Sequence, residues 1–189
     1  MTSKIIAICL LSLAAARADT LAAVSIDPSS TPVIVGNPVN LNVDISNVSD
    51  LYAFQFDIGF DPTILSATNT TEGAFLPSGG ATFFVAGTID NVGGTITDTA
   101  DTLIGAVPGV GGDGVLATLQ FQAIGNGTSP ITLLNIILLD SNLDEIAFTS
   151  TDGSVTVTPE PRFMPVLLIG LLIAASRMLK SRPIQPQQR

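Results

Sequence analysis

Residues 140–144 have the clearest spacing of possible metal ligands in this chain. Asp140, Asn142 and Asp144 occupy alternate positions and repeat the first three oxygen ligands of an EF-type calcium loop. The pattern then departs from that loop, because Glu145 stands where a glycine is needed and Thr151 where a bidentate glutamate is needed. Asx residues at this spacing are also typical of a hairpin turn. The sequence therefore favours a turn, with a loose calcium site at the same three residues as the alternative.

Catalytic chemistry can be assessed by elimination across residues 19–160, which contain no His, Cys or Lys. Without a basic nitrogen or a thiol, this stretch cannot build a nucleophile–base pair, a reactive thiolate or a zinc site of nitrogen and sulfur ligands. Paired carboxylates for glycoside hydrolysis are available among the thirteen Asp and three Glu. Several of these Asp stand in turn contexts, namely Asp61-Pro62, Asp113-Gly114 and Asp152-Gly153. We therefore predict that the protein is not an enzyme and, apart from the calcium alternative, has no cofactor.

Charge is strongly separated along the chain. The protein has 7 Lys and Arg against 16 Asp and Glu, and all the basic residues lie before residue 19 or after residue 160. Nucleic acids and anionic membrane surfaces are bound through Lys and Arg at phosphate groups. The acidic central stretch therefore excludes nucleic acid as an expected partner and leaves cationic or neutral partners open.

The N-terminal segment has the layout of a secretory signal peptide. Lys4 precedes an apolar stretch over residues 5–16, which closes on the small-residue pattern Ala16-Arg17-Ala18. Cleavage after Ala18 would remove residues 1–18 together with the single cysteine, Cys9. Lipidation of Cys9 is disfavoured because too little apolar sequence precedes it. The alternative cleavage sites lie after Ala22 and Ala23.

The C-terminal tail, residues 159–189, joins a short motif to an apolar run and a basic end. Pro159, Glu160 and Pro161 precede an apolar run over residues 163–175. As a helix this run is about 20 Å long, against a hydrocarbon core of about 30 Å, so it spans poorly unless extended to residue 179. Arg177 can then reach the headgroups, and the positive cluster lies on the cytoplasmic side. We predict a short hydrophobic helix over residues 163–179 that anchors the chain in the membrane transiently.

This tail resembles the PEP-CTERM sorting signal of Gram-negative bacteria, over roughly residues 158–182. Tails of that family are cleaved near the tripeptide by a membrane transpeptidase of the exosortase type. The resemblance implies export across the inner membrane, transient anchoring and processing by an exosortase-type enzyme. It further implies that the product reaches the cell surface or is secreted.

Residues 19–158 are predicted to form one all-β sandwich domain. Short apolar runs are separated by Gly, Pro, Asn and Asp, and no helical periodicity lasts three turns. Between residues 72 and 114, glycines at 79–80, 93–94 and 109–114 are predicted to break the chain into several short strands with long, mobile loops. The clearest strands are expected at residues 39–48, 51–60, 115–123, 131–139 and 155–157.

The expected strand at residues 51–60 separates into two faces with a period of two. Its inward set is Tyr52, Phe54, Phe56, Ile58 and Phe60, and its outward set includes Ala53, Gln55 and Asp57. The strand at 131–139 is apolar on both faces, so it is either covered on both sides or part of a contact surface. The adjacent Phe83 and Phe84 must point to opposite sides of any strand. The outward ring is favoured as an edge of the core, with an exposed hydrophobic contact as the alternative.

The order of strands and turns resembles the cohesin family across nearly all of residues 19–158. The pieces that carry the resemblance are Val24-Ser25-Ile26, Gly36, residues 47–57 (NVSDLYAFQFD), Phe60-Asp61-Pro62, residues 112–121 (GDGVLATLQF) and Gly153-Ser154-Val155-Thr156-Val157. The resemblance implies a jelly-roll β-sandwich of about nine strands, related in fold to carbohydrate-binding modules. Cohesins bind dockerins, small calcium-loaded helical modules, through one sheet face.

The dockerin-binding face of cohesins includes outward residues on the strand before the Asp-Pro turn. The matching positions here are Ala53, Gln55 and Asp57. Ala53 and Gln55 differ from the Asn and Asp expected in dockerin binders. The resemblance therefore implies a protein-binding face while leaving a dockerin-like or other surface protein open as the partner.

We therefore expect an exported, non-catalytic binding or scaffolding module of the cell surface or extracellular matrix that recognises a protein partner through a sheet face. The alternative is a carbohydrate-binding module of the polysaccharide matrix. Such modules stack sugar rings on exposed aromatic side chains. The chain has no Trp, and its single Tyr, Tyr52, belongs to the inward set. This pattern favours a protein partner over a polysaccharide.

Overall fold

The structure, a computed structural model, describes residues 21–27 and 32–160. These ranges contain eleven β-strands and one short 3-10 helix at Leu76–Gly79. The strands are β1 (Ala22–Ile26), β2 (Val33–Ile34), β3 (Pro38–Leu51), β4 (Ala53–Gly59), β5 (Leu65–Glu72), β6 (Thr88–Asp90), β7 (Thr95–Thr102), β8 (Val110–Ala123), β9 (Gly127–Leu139), β10 (Phe148–Thr151) and β11 (Gly153–Thr158).

Several sequence predictions fall outside these residues. They are the signal peptide 1–18 with Ala16 and Ala18, the tail from Pro161 onward and its helix over residues 163–179. They stay predictions. Within the described ranges, no helix has the length and apolar character needed to cross a membrane.

The strands form two stacked sheets. One sheet has five strands in the order β10-β1-β3-β8-β5, and the other has six in the order β2-β11-β9-β4-β7-β6. Most neighbours are antiparallel, and the two parallel pairs join β1 to β10 and β2 to β11. The predicted all-β sandwich is therefore confirmed.

The hydrophobic core fills the space between the two sheets because the strands alternate in polarity. Along β4, Phe54, Phe56 and Ile58 are buried while the residues between them are partly exposed. Phe60 meets Phe121 of β8 edge to face, with ring centroids 5.2 Å apart. Burying a side chain of this size contributes about 1.5–3 kcal/mol. The buried hydrophobic residues of the described ranges lie between residues 22 and 157 and form one core cluster.

The final strand of the sandwich divides at Asp152 and crosses from one sheet to the other. Residues before the crossing pair with β1, and residues after it pair with β9. The Asp152 carboxylate accepts a hydrogen bond from the Leu133 N–H at 2.9 Å, which fixes the crossing point. A Cβ on Gly153 would lie 2.6 Å from Ile26 Cγ2, so the close approach requires glycine. The structure thus has eleven strands where about nine were expected, and this division and the short β2 and β6 contribute to the larger number.

The glycine-rich region between residues 72 and 114 is more regular than its sequence predicts. The predicted break at residues 109–114 is wrong, because β8 runs continuously from Val110 and pairs with β3 through Gly112 and Gly114. Antiparallel pairing with a long neighbouring strand overrides the weak strand propensity of glycine. Residues 82–85 also pair along the edge of β7, where the Val85 N–H donates to the Ala100 carbonyl at 2.8 Å.

Candidate functional site

A groove of about 290 Å³ lies on the outer face of the six-stranded sheet. Three neighbouring strands form its floor, because Ala53 of β4 stands opposite both Thr102 of β7 and Leu139 of β9. We call it the outer groove. The side chains along it are Ala53, Gln55, Phe83, Val85, Ala100, Thr102, Ile137 and Leu139.

The wall of the outer groove next to β7 is formed by residues 82–85. Phe84 packs against the core, whereas Phe83 is 64% exposed and Val85 is 40% exposed. Strand alternation explains this arrangement, since adjacent side chains point to opposite faces. The outward ring, Phe83, is therefore a surface side chain and not the predicted edge of the core, and its use as a hydrophobic contact stays a prediction.

The opposite wall belongs to β9, where a β-bulge places two apolar side chains on the same outer face. Gln55 pairs with Ile137 but Asp57 pairs with Leu134, so β9 has one extra residue between these pairs. Asn135 takes up the extra length with a positive φ of 50°. As a result Leu134 and Ile137, three residues apart, both face outward and are 47% and 41% exposed. The strand is therefore not covered on both faces, and its use as a contact surface stays a prediction.

Asp57 holds the backbone on both sides of β4. Its Oδ1 accepts a hydrogen bond from the Asp98 N–H of β7 at 2.7 Å, and its Oδ2 accepts one from Asn135 Nδ2 of β9 at 2.7 Å. Both partners have positive φ and lie at register shifts beside β4. One carboxylate therefore fixes two bulges. Of the three residues predicted for a binding face, Ala53 and Gln55 lie in the outer groove, and Asp57 shapes the sheet next to it.

Residues 140–144 form a turn held by the Asp140 carboxylate. Oδ1 accepts hydrogen bonds from the Asn142 N–H at 2.8 Å and the Asp144 N–H at 2.9 Å. Bonding from the Asp144 backbone lowers the pKa of Asp140 below its usual value, opposed by a smaller effect of burial and helped by Asn142. The described part of the chain contains no cluster of three acidic, His or Cys side chains able to hold a metal. Calcium binding by Asp140, Asn142 and Asp144 stays a prediction.

Other carboxylates of the described ranges also bind backbone and hydroxyl donors, because no Lys, Arg or His is present there. Asp61 accepts bonds from the Thr63 hydroxyl at 2.7 Å and the Thr63 N–H at 2.8 Å, and these bonds lower the pKa of Asp61. The turn predicted at Asp61-Pro62 is thereby observed. Asp152 also lies between two strands, β10 and β11, whereas the turn predicted at Asp113-Gly114 is wrong because both residues lie within β8.

Asp101 is the acidic residue that sequence reasoning missed. It lies on β7 with its side chain on the inner face and is only 2% exposed. Burial raises the pKa of Asp101 to about 7, and the nearby Glu72 carboxylate adds to the increase. The sequence has no alternation at residues 95–102 that would have shown which side of β7 is buried. The burial of Asp101 follows from register with β4.

The comparisons with known proteins agree with this geometry. The family model described as "Cohesin domain" matches residues 22–157. Cellulose-binding protein A of Clostridium cellulovorans is 28% identical over 127 residues, which cover 65% of this chain and 7% of that protein. The chain thus spans a small fraction of this much longer relative.

Two solved structures show the same fold at low identity. The second type II cohesin module of the adaptor ScaA scaffoldin of Acetivibrio cellulolyticus superposes with a TM-score of 0.63 and 13% identity, covering 78% of this chain and 96% of that one. The cohesin of a type I cohesin–dockerin complex from Clostridium thermocellum has a TM-score of 0.60 and 17% identity, covering 74% and 100%.

The two-sheet sandwich, the continuous match over residues 22–157 and the structural similarity point to the same group of proteins. Domains of this group bind other proteins and have no catalytic activity. This chain belongs to the cohesin family.

Proposed function

We propose that this protein is an exported cohesin module that binds a dockerin-like protein through the outer groove and the apolar side chains around it. The observation that carries the proposal is the exposure of Phe83, Val85, Leu134 and Ile137 on one sheet face. Apolar side chains grouped on a folded surface commonly mark an interaction site. The Asp57 hydrogen bonds hold the supporting strands, so the face is ordered before a partner binds.

The chemistry of the face defines the partner. Ala53 and Ala100 leave room at the centre of the outer groove, so a partner can insert an apolar side chain between Phe83 and Ile137. Large aromatic and aliphatic anchors of this kind provide most of the binding energy in protein interfaces. Because residues 19–160 have no basic side chain, a partner with a cationic or neutral rim fits best. A calcium-loaded helical module meets both requirements.

The ends of the chain support export as part of the same proposal. The signal-peptide layout of residues 1–18 directs the chain to the membrane, and the PEP-CTERM-like tail provides a transient anchor. Processing near Pro159-Glu160-Pro161 by an exosortase-type enzyme would release an entirely acidic domain. The intact mass of the native protein tests this step, because a mature form that keeps residues 163–189 contradicts it.

Binding can be tested by immobilising residues 19–160 and measuring their affinity for a panel of calcium-loaded type I and type II dockerin modules. We expect Phe83→Ala and Val85→Ala to weaken the interaction about tenfold or more, since such anchors each contribute above about 1 kcal/mol. Val92→Ala is the matched control, because it removes the same two methyl groups as Val85→Ala from an exposed turn outside the outer groove. Equal affinities for all three variants would contradict the proposed face.

Polysaccharide binding is the second candidate, and the exposed ring of Phe83 is the observation that favours it. A single aromatic ring can stack on a sugar. The same immobilised domain should therefore be tested on a glycan panel. Retention of glycans that is lost in Phe83→Ala, with no dockerin bound, would reverse the order of the two candidates.

A further inference from the structure

Asp101 has an unusual environment for a carboxyl group. Its Oδ1 accepts a hydrogen bond from the Thr102 N–H at 2.9 Å, whereas its fully buried Oδ2 has no partner. An unpaired buried carboxylate oxygen is costly, because folding removes its water without replacing it. Proteins normally compensate such a group with a basic side chain, and residues 19–160 contain none.

Glu72 is the neighbour that decides how Asp101 is satisfied. It ends β5 in the five-stranded sheet, and its Oε1 accepts a hydrogen bond from the Thr82 hydroxyl. Its carboxylate also lies close enough to Asp101 to act as a hydrogen-bond partner and to repel its charge. Two neighbouring carboxylates, of which one is buried, are stable when one of them keeps its proton. Glu72, Asp101 and Thr82 belong to β5, β7 and the segment 82–85, so the three residues connect these elements.

The other groups packed around Asp101 are uncharged. Its pairing partner on β4 is Phe54, and the next inward residue of β7 is the buried Thr99. Among the described residues, Glu72 is the one charged group that raises the pKa of Asp101. Two carboxylates and a hydroxyl offer at most five oxygens, fewer than the six to eight that calcium takes, and the described residues contain no third acidic, His or Cys side chain to complete a metal site. A proton is therefore the better fit.

We propose that Asp101 and Glu72 share one proton and form a pH-sensitive latch that fastens the segment carrying Phe83 and Val85 to the rest of the sandwich. Asp101 Oδ2 carries the proton and donates it to the Glu72 carboxylate, which also accepts the Thr82 hydroxyl. Loss of the proton leaves two like charges side by side and weakens the attachment of residues 82–85. The latch does not depend on a partner. Its effect on affinity rests on the proposed function of the outer groove.

The sign of the pH effect follows from proton binding. Burial raises the pKa of Asp101 to about 7, above the value of about 3.9 expected in the unfolded chain. The folded state therefore holds the proton more tightly, and the stabilisation is complete below about pH 4. It is lost progressively as the pH rises from about 4 to 7. Mildly acidic conditions thus tighten the latch.

The first test compares thermal unfolding of residues 19–160 between pH 4 and 9 in the wild type, Asp101→Asn and Glu145→Gln. Both variants lose one acidic group, but Glu145 is exposed and its carboxylate takes part in no side-chain hydrogen bond. We expect the melting temperature of the wild type and Glu145→Gln to fall between pH 4 and 7. Asp101→Asn should show a distinctly smaller fall, because its amide can donate to Glu72 at every pH. Equal slopes in the two variants would overturn the proposal.

The second test is a ¹³C NMR titration of the carboxyl groups. Its main readout is the titration midpoint of Asp101 in the wild type, which does not require a variant to fold. The Asp101 carboxyl should titrate near pH 7, and Glu72→Gln should move its midpoint to lower pH. A titration midpoint of Asp101 at the same pH as that of the exposed Asp residues would overturn the latch. So would an increase in melting temperature with millimolar CaCl₂ at pH 7 that Asp101→Asn abolishes, because the pair would then bind a cation. If no dockerin module binds, these tests still decide the latch.

Discussion

The outer faces of the two sheets differ sharply, although both sheets present the same kind of inner face to the core. On the five-stranded sheet, the exposed side of β3 and β8 is polar, and the Thr118 hydroxyl donates to Asn42 Oδ1 at 3.0 Å. No strand of that sheet has an exposed large hydrophobic side chain in the described ranges, although Leu21 and Ile124 are exposed one residue beyond the ends of β1 and β8. The six-stranded sheet has Leu134 and Ile137 on β9, with Phe83 and Val85 beside β7.

This difference indicates that the outer face of the five-stranded sheet meets water, whereas the outer face of the six-stranded sheet does not need to be fully polar. A sheet face that meets only water satisfies its polar groups along the strand and keeps apolar atoms inside. A face that keeps exposed aliphatic and aromatic side chains gains nothing from them in the isolated domain. The contrast is the physical basis for assigning binding to the six-stranded sheet and solvent exposure to the other.

The bulges show a similar contrast. On the five-stranded sheet, Asn47 has a positive φ of 55°, and its N–H donates to Asp113 Oδ1 at 2.8 Å, so the bulge is fixed by one bond at the sheet's end. On the six-stranded sheet, Asp57 fixes two bulges at the centre of the face. Bulges redirect side chains. The central pair therefore controls which residues reach the outer groove.

The largest expected effect comes from placing a charge in the outer groove. Ile137→Glu should reduce the affinity for a dockerin partner by about 100-fold or more, because binding would bury an unpaired carboxylate. The same charge on the polar face, in Thr118→Glu, should leave the affinity within about twofold. Isothermal titration calorimetry of both variants measures the difference. Similar losses in both would show that the two faces do not differ in function.

Removing the Asp57 carboxylate should destabilise the domain by about 1–3 kcal/mol, since two hydrogen bonds of about 0.5–1.5 kcal/mol each are lost. Asp44 on the five-stranded sheet is the control. Desolvation, with a smaller contribution from Asp27, raises the pKa of Asp44, so its charge is not stabilised by the fold. We expect Asp44→Ala to change the free energy of unfolding by less than about 0.5 kcal/mol. Urea unfolding at pH 7 measures the free energy of unfolding of the Asp57 and Asp44 variants. Equal losses of stability in the two would contradict the special role of Asp57.

Asn135→Ala tests the β9 bulge at a smaller scale. Alanine is disfavoured at positive φ by about 1–2 kcal/mol and cannot donate to Asp57. Asn135→Gly also loses that donor but accepts the backbone conformation freely, so it should cost less than Asn135→Ala. Thermal unfolding of the pair separates backbone strain from the hydrogen bond. A cost for glycine equal to or larger than that for alanine would contradict backbone strain at Asn135, because both variants lose the same side-chain bond.

The smallest effects concern the turns at low pH. Hydrogen bonds to the ionised carboxylates lower the pKa of Asp61, Asp90 and Asp140, with bonds from Thr63, Gly93 and Asp144 as the respective main causes. Their stabilisation is present above about pH 4 and is lost as the pH falls through the lowered pKa values. Stability should therefore decline modestly below pH 4. Asp140→Asn should decline less steeply in an acid titration followed by circular dichroism, and an unchanged slope would contradict this role.

Sequence reasoning located the strands where alternation was strong. The outward placement of Ala53, Gln55 and Asp57 on β4 followed from the period of two, and so did the opposite orientations of Phe83 and Phe84. It failed at β8, where Gly112 and Gly114 suggested a break, because pairing with β3 is a non-local effect. The sequence pattern did not indicate that Asp57 binds both neighbouring strands, β7 and β9, because this contact depends on the register of three strands.

The amino-acid sequence by itself determined the β-sandwich class, the absence of basic side chains between residues 19 and 160, and the alternation of the central strands. These properties are local or compositional, so they can be recognised without knowing which strands meet. Only the tertiary structure decided that Phe83 and Ile137 border one groove and that Asp101 faces Glu72 from the other sheet. Those pairs join residues far apart in the chain, and their contact depends on strand order and on bulges that shift the register by one residue.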